Sequence, residues 1–293
     1  MPHCAPAPVT TPPARRVVLL VLDGLRADLV GDLRFPNLAA LQRDSAFTTD
    51  ATTVLPSVTA VAMTSLLSGL APVDNGIDSD RFRVPRPRVP MTTVAQAVAA
   101  AGMPTSGVVR QVPWMIRSTA QRIVQALGLH QVTFAAANAH VLLTAAMPAL
   151  RAQRTGLIVL HWPDCDAVGH RAGWMTTAYL TAVARMDHAL GILRGELAAA
   201  RHDTLLVALA DHGGGGRVPT HHDSAHPHDC TIPIFLDGAG VVAQELPCGL
   251  TLLDVPATVL HALGVPIPDT YAGTPIHQAF TSPSHVRETA TAA

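Results

Sequence analysis

The chain contains no lysine: all 20 of its basic residues are arginine. Chemistry that needs a lysine amine is therefore excluded, including Schiff-base formation, attachment of pyridoxal phosphate and a Walker-type phosphate loop. The absence itself reads as base-composition bias, not as a device. Cysteine is scarce too. Cys4, Cys165, Cys230 and Cys248 are never paired at CxxC spacing, which argues against a zinc ribbon and leaves free thiols in a reducing compartment as the expectation. Charged residues make up only 14% of the chain and the formal net charge is −1, so bulk electrostatics calls for neither nucleic acid nor a membrane as partner. No apolar run is long enough to span a bilayer: the run 17–22 is short, and 134–150 is interrupted by Asn138, His140 and Pro148. Met1 to Arg16 is rich in Pro and Ala without an apolar signal core, which predicts a disordered lead-in and a soluble, cytoplasmic protein.

What is present is aliphatic. An apolar share of 48% with aromatics at 4% predicts a well-filled core of Ala, Val and Leu. Short apolar runs at 17–22, 105–109, 157–161, 204–209 and 232–236 predict strands. Their continuity, in place of alternation, fits strands covered on both faces of a parallel sheet. Helices are predicted at 37–45, 59–68, 91–101, 116–127, 138–151, 175–199 and 254–263, the last opened by Asp254 with Pro256 in its first turn. This alternation predicts an α/β fold with crossover helices. One catalytic domain over 17–280 is expected, with 105–155 a candidate substrate-facing insertion and 281–293 a flexible tail.

Chemistry-bearing residues fall at the ends of these strands. Asp23 follows six apolar residues and precedes a glycine. In an open parallel sheet the carboxyl ends of strands face the ligand crevice, so Asp23 is either a hard metal ligand or the cap of the next helix. Asp211 and His212 repeat the arrangement after 204–209, followed by four glycines. Asp166 and His170 lie four apart after the strand 157–161. Asp164 competes with Asp166, though it reads better as a cap or orienting group, and His161 is a candidate for orienting a ligand. Mixed carboxylate and imidazole donors suit zinc, then manganese or iron. His221, His222, His226 and His228 crowd eight residues before Thr231 and its apolar run. Thr59, at the start of an apolar helix, is a candidate nucleophile beside a metal or an ordinary helix cap. Thr52, Thr53, Ser57 and Thr64 are rival hydroxyls. Cys165, between two aspartates, raises the expectation of thiol-sensitive activity.

In this order, LVLDGLRAD, PSVTAVAMTSLLSGLAPVDNGI, HWPDCDAVGHRAG, LADHGGGG and HHDSAHPHDCTIPIFLDGAGV make the chain resemble the alkaline phosphatase superfamily, in its type I phosphodiesterase/nucleotide pyrophosphatase branch. The resemblance covers about 17 to 276. It implies an alkaline phosphatase-like three-layer sandwich, a mostly parallel sheet with helices on both faces. It also implies two divalent metal ions, Zn2+ above Mn2+, with Asp23, Thr59, Asp211 and His212 on one and Asp166, His170 and His222 on the other. The family's Pro-x-x-Thr proline lies thirteen residues before a glycine, as Pro56 does before Gly69, which selects Thr59. The family's last histidine lies nine residues before its Thr-Ile-Pro strand; Thr231 selects His222, with His221 and His226 as alternatives. The implied substrate is a small-molecule phosphoester, and the implied activity cleavage of a phosphodiester or pyrophosphate, with phosphomonoesters and phosphonates as rival substrates and a vestigial metal-stabilised binding protein as the non-enzymatic reading. Many relatives carry an asparagine three residues after the nucleophile to contact the phosphoryl oxygen. Here that position is Ala62, which transfers the task to backbone N–H groups, the metals or another side chain.

Overall fold

Six consecutive aliphatic residues cannot leave either face of a strand in water, and Val17 to Leu22 are buried almost without exposure. The computed structural model of the chain describes residues 12–81, 85–136 and 138–280. In it β1 (Arg16–Leu22) is a central strand, flanked on both sides by parallel partners, β5 (Gly156–Trp162) and β6 (Thr204–Leu209). The eight-stranded sheet has the order β4-β3-β5-β1-β6-β7-β2-β8. Its other members are β2 (Ala46–Thr52), β3 (Thr105–Arg110), β4 (Gln131–Ala135), β7 (Thr231–Gly238) and β8 (Gln244–Glu245). Only β7 runs against its neighbours, antiparallel to both β6 and β2.

Among the described residues ten α-helices accompany the sheet: α1 (Pro36–Asp44), α2 (Thr59–Ser68), α3 (Pro72–Asn75), α4 (Val94–Ala100), α5 (Arg117–Ala126), α6 (Ala139–Ala152), α7 (Asp164–Ala172), α8 (Thr177–Leu197), α9 (Pro227–Cys230) and α10 (Asp254–Leu263). One layer is built from α2, α4 and α10, and the other from α1, α6, α7 and α8. The expected mostly parallel sheet with helices on both faces is therefore what the chain forms. The predicted helix 175–199 has a separate forerunner, α7, which ends at Gly173 and leaves α8 to start on the Thr176 cap. The predicted helix 91–101 begins later, at a capping box of Thr93 and Gln96. Three strands, β2, β4 and β8, are additions to the predicted five. Residues 105–155, the candidate substrate-facing insertion, supply β3, β4, α5 and α6, and β3 pairs directly with β5. Of the expected lead-in and tail, 1–11 and 281–293 lie outside the described residues, while Ala14 is buried and Arg16 opens β1.

Register sets the functional edge. Leu22 pairs with Trp162 on one side, and Val21 with Leu209 on the other. The segments carrying Asp23, Asp166 and Asp211 therefore leave three adjacent parallel strands at the same end. Gly24 makes the closest approach possible there. Its φ is +71°, and a Cβ on it would sit 2.8 Å from the Asp166 backbone. That contact lets the Asp166 N–H donate to the Asp23 carbonyl at 3.0 Å, docking the first turn of α7 onto the end of β1. Gly24→Ala combines left-handed strain with overpacking, so a loss of about 2–5 kcal/mol is expected. A urea midpoint within error of the unchanged protein would refute the close approach.

Candidate metal centre

Asp23, Asp211 and His212 are buried to within a few per cent of completely, and His222 joins them at 3% exposure. His212 is the hub. Its Nε2 lies 3.4 Å from Asp23 Oδ1, 3.6 Å from Asp211 Oδ2 and 3.0 Å from Thr59 Oγ1. Two neighbouring sets of donor atoms each fall within 4.8 Å: Asp23, Asp211 and His212 in one, Asp166, His212 and His222 in the other. The rings of His212 and His222 stack at 3.7 Å, so one wall serves both. His170, one turn beyond Asp166 in the last turn of α7, completes the second set. Its Nε2 is 3.3 Å from Asp166 Oδ1 and 3.0 Å from His222 Nε2; His222 Nε2 is 3.4 Å from the same Asp166 oxygen.

The imidazole tautomers follow from the other ring nitrogens. Nδ1 of His170, His212 and His222 faces a backbone carbonyl, those of Thr220 at 2.9 Å, Gly213 at 2.9 Å and Ser57 at 2.6 Å. A carbonyl only accepts, so each Nδ1 carries its proton and each neutral ring turns a bare Nε2 inward. Two bare nitrogens 3.0 Å apart repel unless a cation lies against them. The carboxylates make the same demand: Asp23 Oδ1, Asp166 Oδ1 and Asp211 Oδ2 are buried with no hydrogen-bond partner. Orphaned buried anions are costly, and inward carboxylate oxygens beside bare imidazole nitrogens are the donor set that divalent metals satisfy. The residues fit the group.

Without a metal, the crowded carboxylates draw protons into the cluster instead. Burial, then the neighbouring Asp211, pushes the Asp23 carboxyl up to about 7. Burial opposes charge on His212, but Asp211, Asp23 and Asp166 together outweigh it and raise that imidazole to about 9. Burial, then His212, lowers His222.

All seven expected ligands are brought together. Their rivals are not. Ser57 Oγ donates to the carbonyls of His222 and Ser224, Thr53 Oγ1 to Asp211 at 2.5 Å and Thr64 Oγ1 to Ala60 at 2.7 Å. His221 turns outward to the Thr220 hydroxyl, and His226 caps α9. Asp164 does cap, but across space: its Oδ2 accepts from the Ala139 N–H at the start of α6. His161 Nε2 lies 3.2 Å from Asp23 Oδ2. Cys165 is fully buried against Met186, and burial raises its thiol well up, which disfavours the thiolate that oxidant sensitivity requires.

Three supports escaped the sequence. Trp174 donates its indole N–H to the Gly24 carbonyl at 3.0 Å and sets its ring edge-on to His170 and His222. Gly214 presses on that ring, where a Cβ would meet it at 2.1 Å, and Gly215 on the Cβ of Trp174, at 2.6 Å. Tyr179 donates to the same carbonyl, and the buried Asp229 holds the 213–230 loop through the Gly216 N–H. Spacing alone carries no signal for any of them.

Comparison with known proteins places this geometry in context. A family model described as type I phosphodiesterase/nucleotide pyrophosphatase matches residues 17–231. A 2,3-bisphosphoglycerate-independent phosphoglycerate mutase from Haloarcula marismortui is 33% identical over 122 residues, 41% of this chain and 23% of that protein. The chain thus matches about a quarter of the length of the curated relatives. In fold it is similar to a 2-O GAG sulfatase (TM-score 0.71, 15% identity, 92% of this chain and 74% of the other). It is similar also to a phosphonate monoester hydrolase from Silicibacter pomeroyi (TM-score 0.67, 15% identity, 93% and 78%). A third likeness is to an alkaline phosphatase superfamily protein from Vibrio parahaemolyticus (TM-score 0.68, 17% identity, 89% and 69%).

Zinc at a thousand times its Kd should stabilise the chelated protein by about 4 kcal/mol. Asp23→Asn removes one of three mutually repelling buried carboxylates. It should therefore raise the melting temperature of the metal-free protein while reducing the rise on adding zinc. An unchanged melting temperature for the wild type on adding zinc or manganese would sink the metal centre.

Proposed function

The chain belongs to the type I phosphodiesterase/nucleotide pyrophosphatase family, and from that premise we propose that it is a two-metal hydrolase of phosphoric diesters acting through Thr59. The observation that carries the reading is Thr59 Oγ1 at 3.0 Å from His212 Nε2, beside three unpartnered carboxylate oxygens. Asp23, Thr59, Asp211 and His212 would hold one divalent ion, zinc before manganese, and Asp166, His170 and His222 a second. Ions so placed acidify a hydroxyl or water and offset the charge that builds on phosphoryl oxygens.

The chain's own residues divide the work. Thr59 stands at the N-terminus of α2, where the helix field favours an anion. Its Oγ bonds to phosphorus as the ester oxygen departs with a proton, leaving a phosphothreonine. Water then bonds to phosphorus and Thr59 recovers its hydroxyl. The stacked imidazoles and Trp174 keep Nε2 of each histidine aimed inward throughout.

Charge in the adjoining cleft favours a diester. The cleft, about 550 Å3, is lined among the described residues by Asp78, Asp80 and Asp223 against a single arginine, Arg81. Asp80 accepts the Ala60 N–H at 3.1 Å, placing a carboxylate at the anion-binding end of α2. A monoanionic diester tolerates that carboxylate better than a dianionic monoester does. The buried methyl of Ala62 offers no hydrogen bond to compensate.

Zinc-loaded protein is expected to hydrolyse bis-p-nitrophenyl phosphate faster than p-nitrophenyl phosphate. Thr59→Ala should lower turnover by at least about 100-fold, the lower end for losing a group that acts in the transition state, while zinc still raises the melting temperature. Undiminished turnover in that variant would remove Thr59 from its role. Asp80→Asn should narrow the preference for the diester by roughly fivefold, the effect of about 1 kcal/mol from one nearby charge; preference unchanged would take the cleft's charge out of the explanation.

A further inference from the structure

The net charge of −1 conceals a segregation. Residues 81–163 contain nine of the 20 arginines and none of the 21 acidic residues. The rest of the chain is correspondingly acidic. Part of this cationic stretch surrounds the most exposed aromatic side chain among the described residues. Trp114 is 83% exposed, followed by Met115 at 70% and Ile116 at 50%. These three form a single turn that leads into α5, whose ten residues include none that is buried. Ile116, Ile123 and Leu127 recur at helical spacing, and the last two line an apolar groove of about 250 Å3 with Met63, Leu67 and Met91. Isolated exposed apolar residues are ordinary, but a continuous Trp-Met-Ile turn beside an apolar groove is not.

Arginines frame this turn. Arg110 precedes it, and Arg117 and Arg122 follow in α5. Among the described residues none of the three forms an ion pair. Arg117 lies over the Phe134 ring, 5.6 Å from its centre. Register puts the turn at the working edge. Val108 and Leu20 both pair with Leu160, so Arg110 is level with Leu22 and about 10 Å across the sheet from it. The apolar turn thus begins just beyond the edge that carries the metal centre.

We infer that the Trp114–Ile116 turn with Arg110, Arg117 and Arg122 is a docking surface for an anionic phospholipid membrane, entered at headgroup depth. No helix among the described residues is long and apolar enough to cross a membrane, and none is needed. A segment that sets arginines beside exposed Trp, Met and Ile is suited to lie in the interface plane. Tryptophan settles at headgroup level, and each arginine near an anionic surface strengthens binding. Nucleic acid offers the same negative charge but no hydrocarbon for Met115 and Ile116, which favours the lipid surface.

The test uses the full chain and two vesicle preparations, phosphatidylcholine alone and an equal mixture with phosphatidylglycerol. Co-sedimentation should favour the anionic vesicles at least tenfold and weaken in 0.5 M salt. Tryptophan emission should shift to the blue on the anionic vesicles, and the shift reports Trp114 because Trp162 and Trp174 are buried. Arg117→Gln with Arg122→Gln should weaken binding by roughly fivefold per arginine. Replacing Trp114, Met115 and Ile116 by serine should abolish the blue shift, with melting temperatures checking that both variants fold. Equal or no partition of the wild type overturns the proposal, as does binding to a DNA duplex without binding to vesicles. Self-association that the serine variant abolishes, without vesicle binding, overturns it in favour of a second copy of the chain. Hydrolysis of soluble bis-p-nitrophenyl phosphate should be unaffected in both variants; failure of the wild type to hydrolyse it would count against the catalytic reading and leave the docking result standing.

Discussion

Three aspartate oxygens with no hydrogen-bond partner, held in the same small volume at the ends of three adjacent strands, are the constraint to which this molecule answers. Left alone, such a cluster would protonate or open, because buried like charges repel and water is not there to screen them. The surroundings keep it closed. Gly24 lets α7 reach the end of β1, Trp174 and Tyr179 both bind the Gly24 carbonyl, and His161 and His212 face Asp23. The sheet's hydrophobic centre supplies the stability that tolerates the strain: each buried Val or Leu of β1 contributes about 1.5–3 kcal/mol.

The same economy shows in the histidines. Each has its Nδ1 held by a backbone carbonyl, not by a carboxylate, and the three carbonyls belong to Ser57, Gly213 and Thr220. Loop conformation therefore determines imidazole orientation. That is why Asp229, distant from the chemistry but binding the Gly216 N–H, matters to the geometry of the 213–230 loop.

The central strands could be read from sequence because a strand covered on both faces is a plain apolar run, as in Val17–Leu22 and Leu205–Leu209. β2 could not: AFTTDAT is half polar, and its exposed positions face solvent beside the antiparallel β7. The five residues of β4 and the two of β8 are too short to show a period. α7 was hidden by its composition, since Asp, Gly and His are weak helix formers; two aspartates in its first turn and a histidine in its last support it through the helix field. The residues of the candidate metal centre were legible in part because motif order survives where local pattern is ambiguous. Four histidines between 221 and 228 looked alike, and only distance to Thr231 separated His222 from the rest. Trp174 had no such marker, because an aromatic ring that orients two imidazoles needs no fixed spacing from either.

The strand order has a consequence for how the protein is made. Among the described strands β1 leaves the ribosome first, yet its two neighbours, β5 and β6, begin at residues 156 and 204. At ordinary rates of synthesis the second partner arrives on the order of 10 s later. Until β5 emerges VVLLVL has both edges unmatched, and until β6 emerges it still has one, in a segment whose composition favours sticking to other chains. The most secure strand of the finished sheet is thus the most vulnerable one in the nascent chain. Its safety before completion depends on whatever the growing polypeptide meets first.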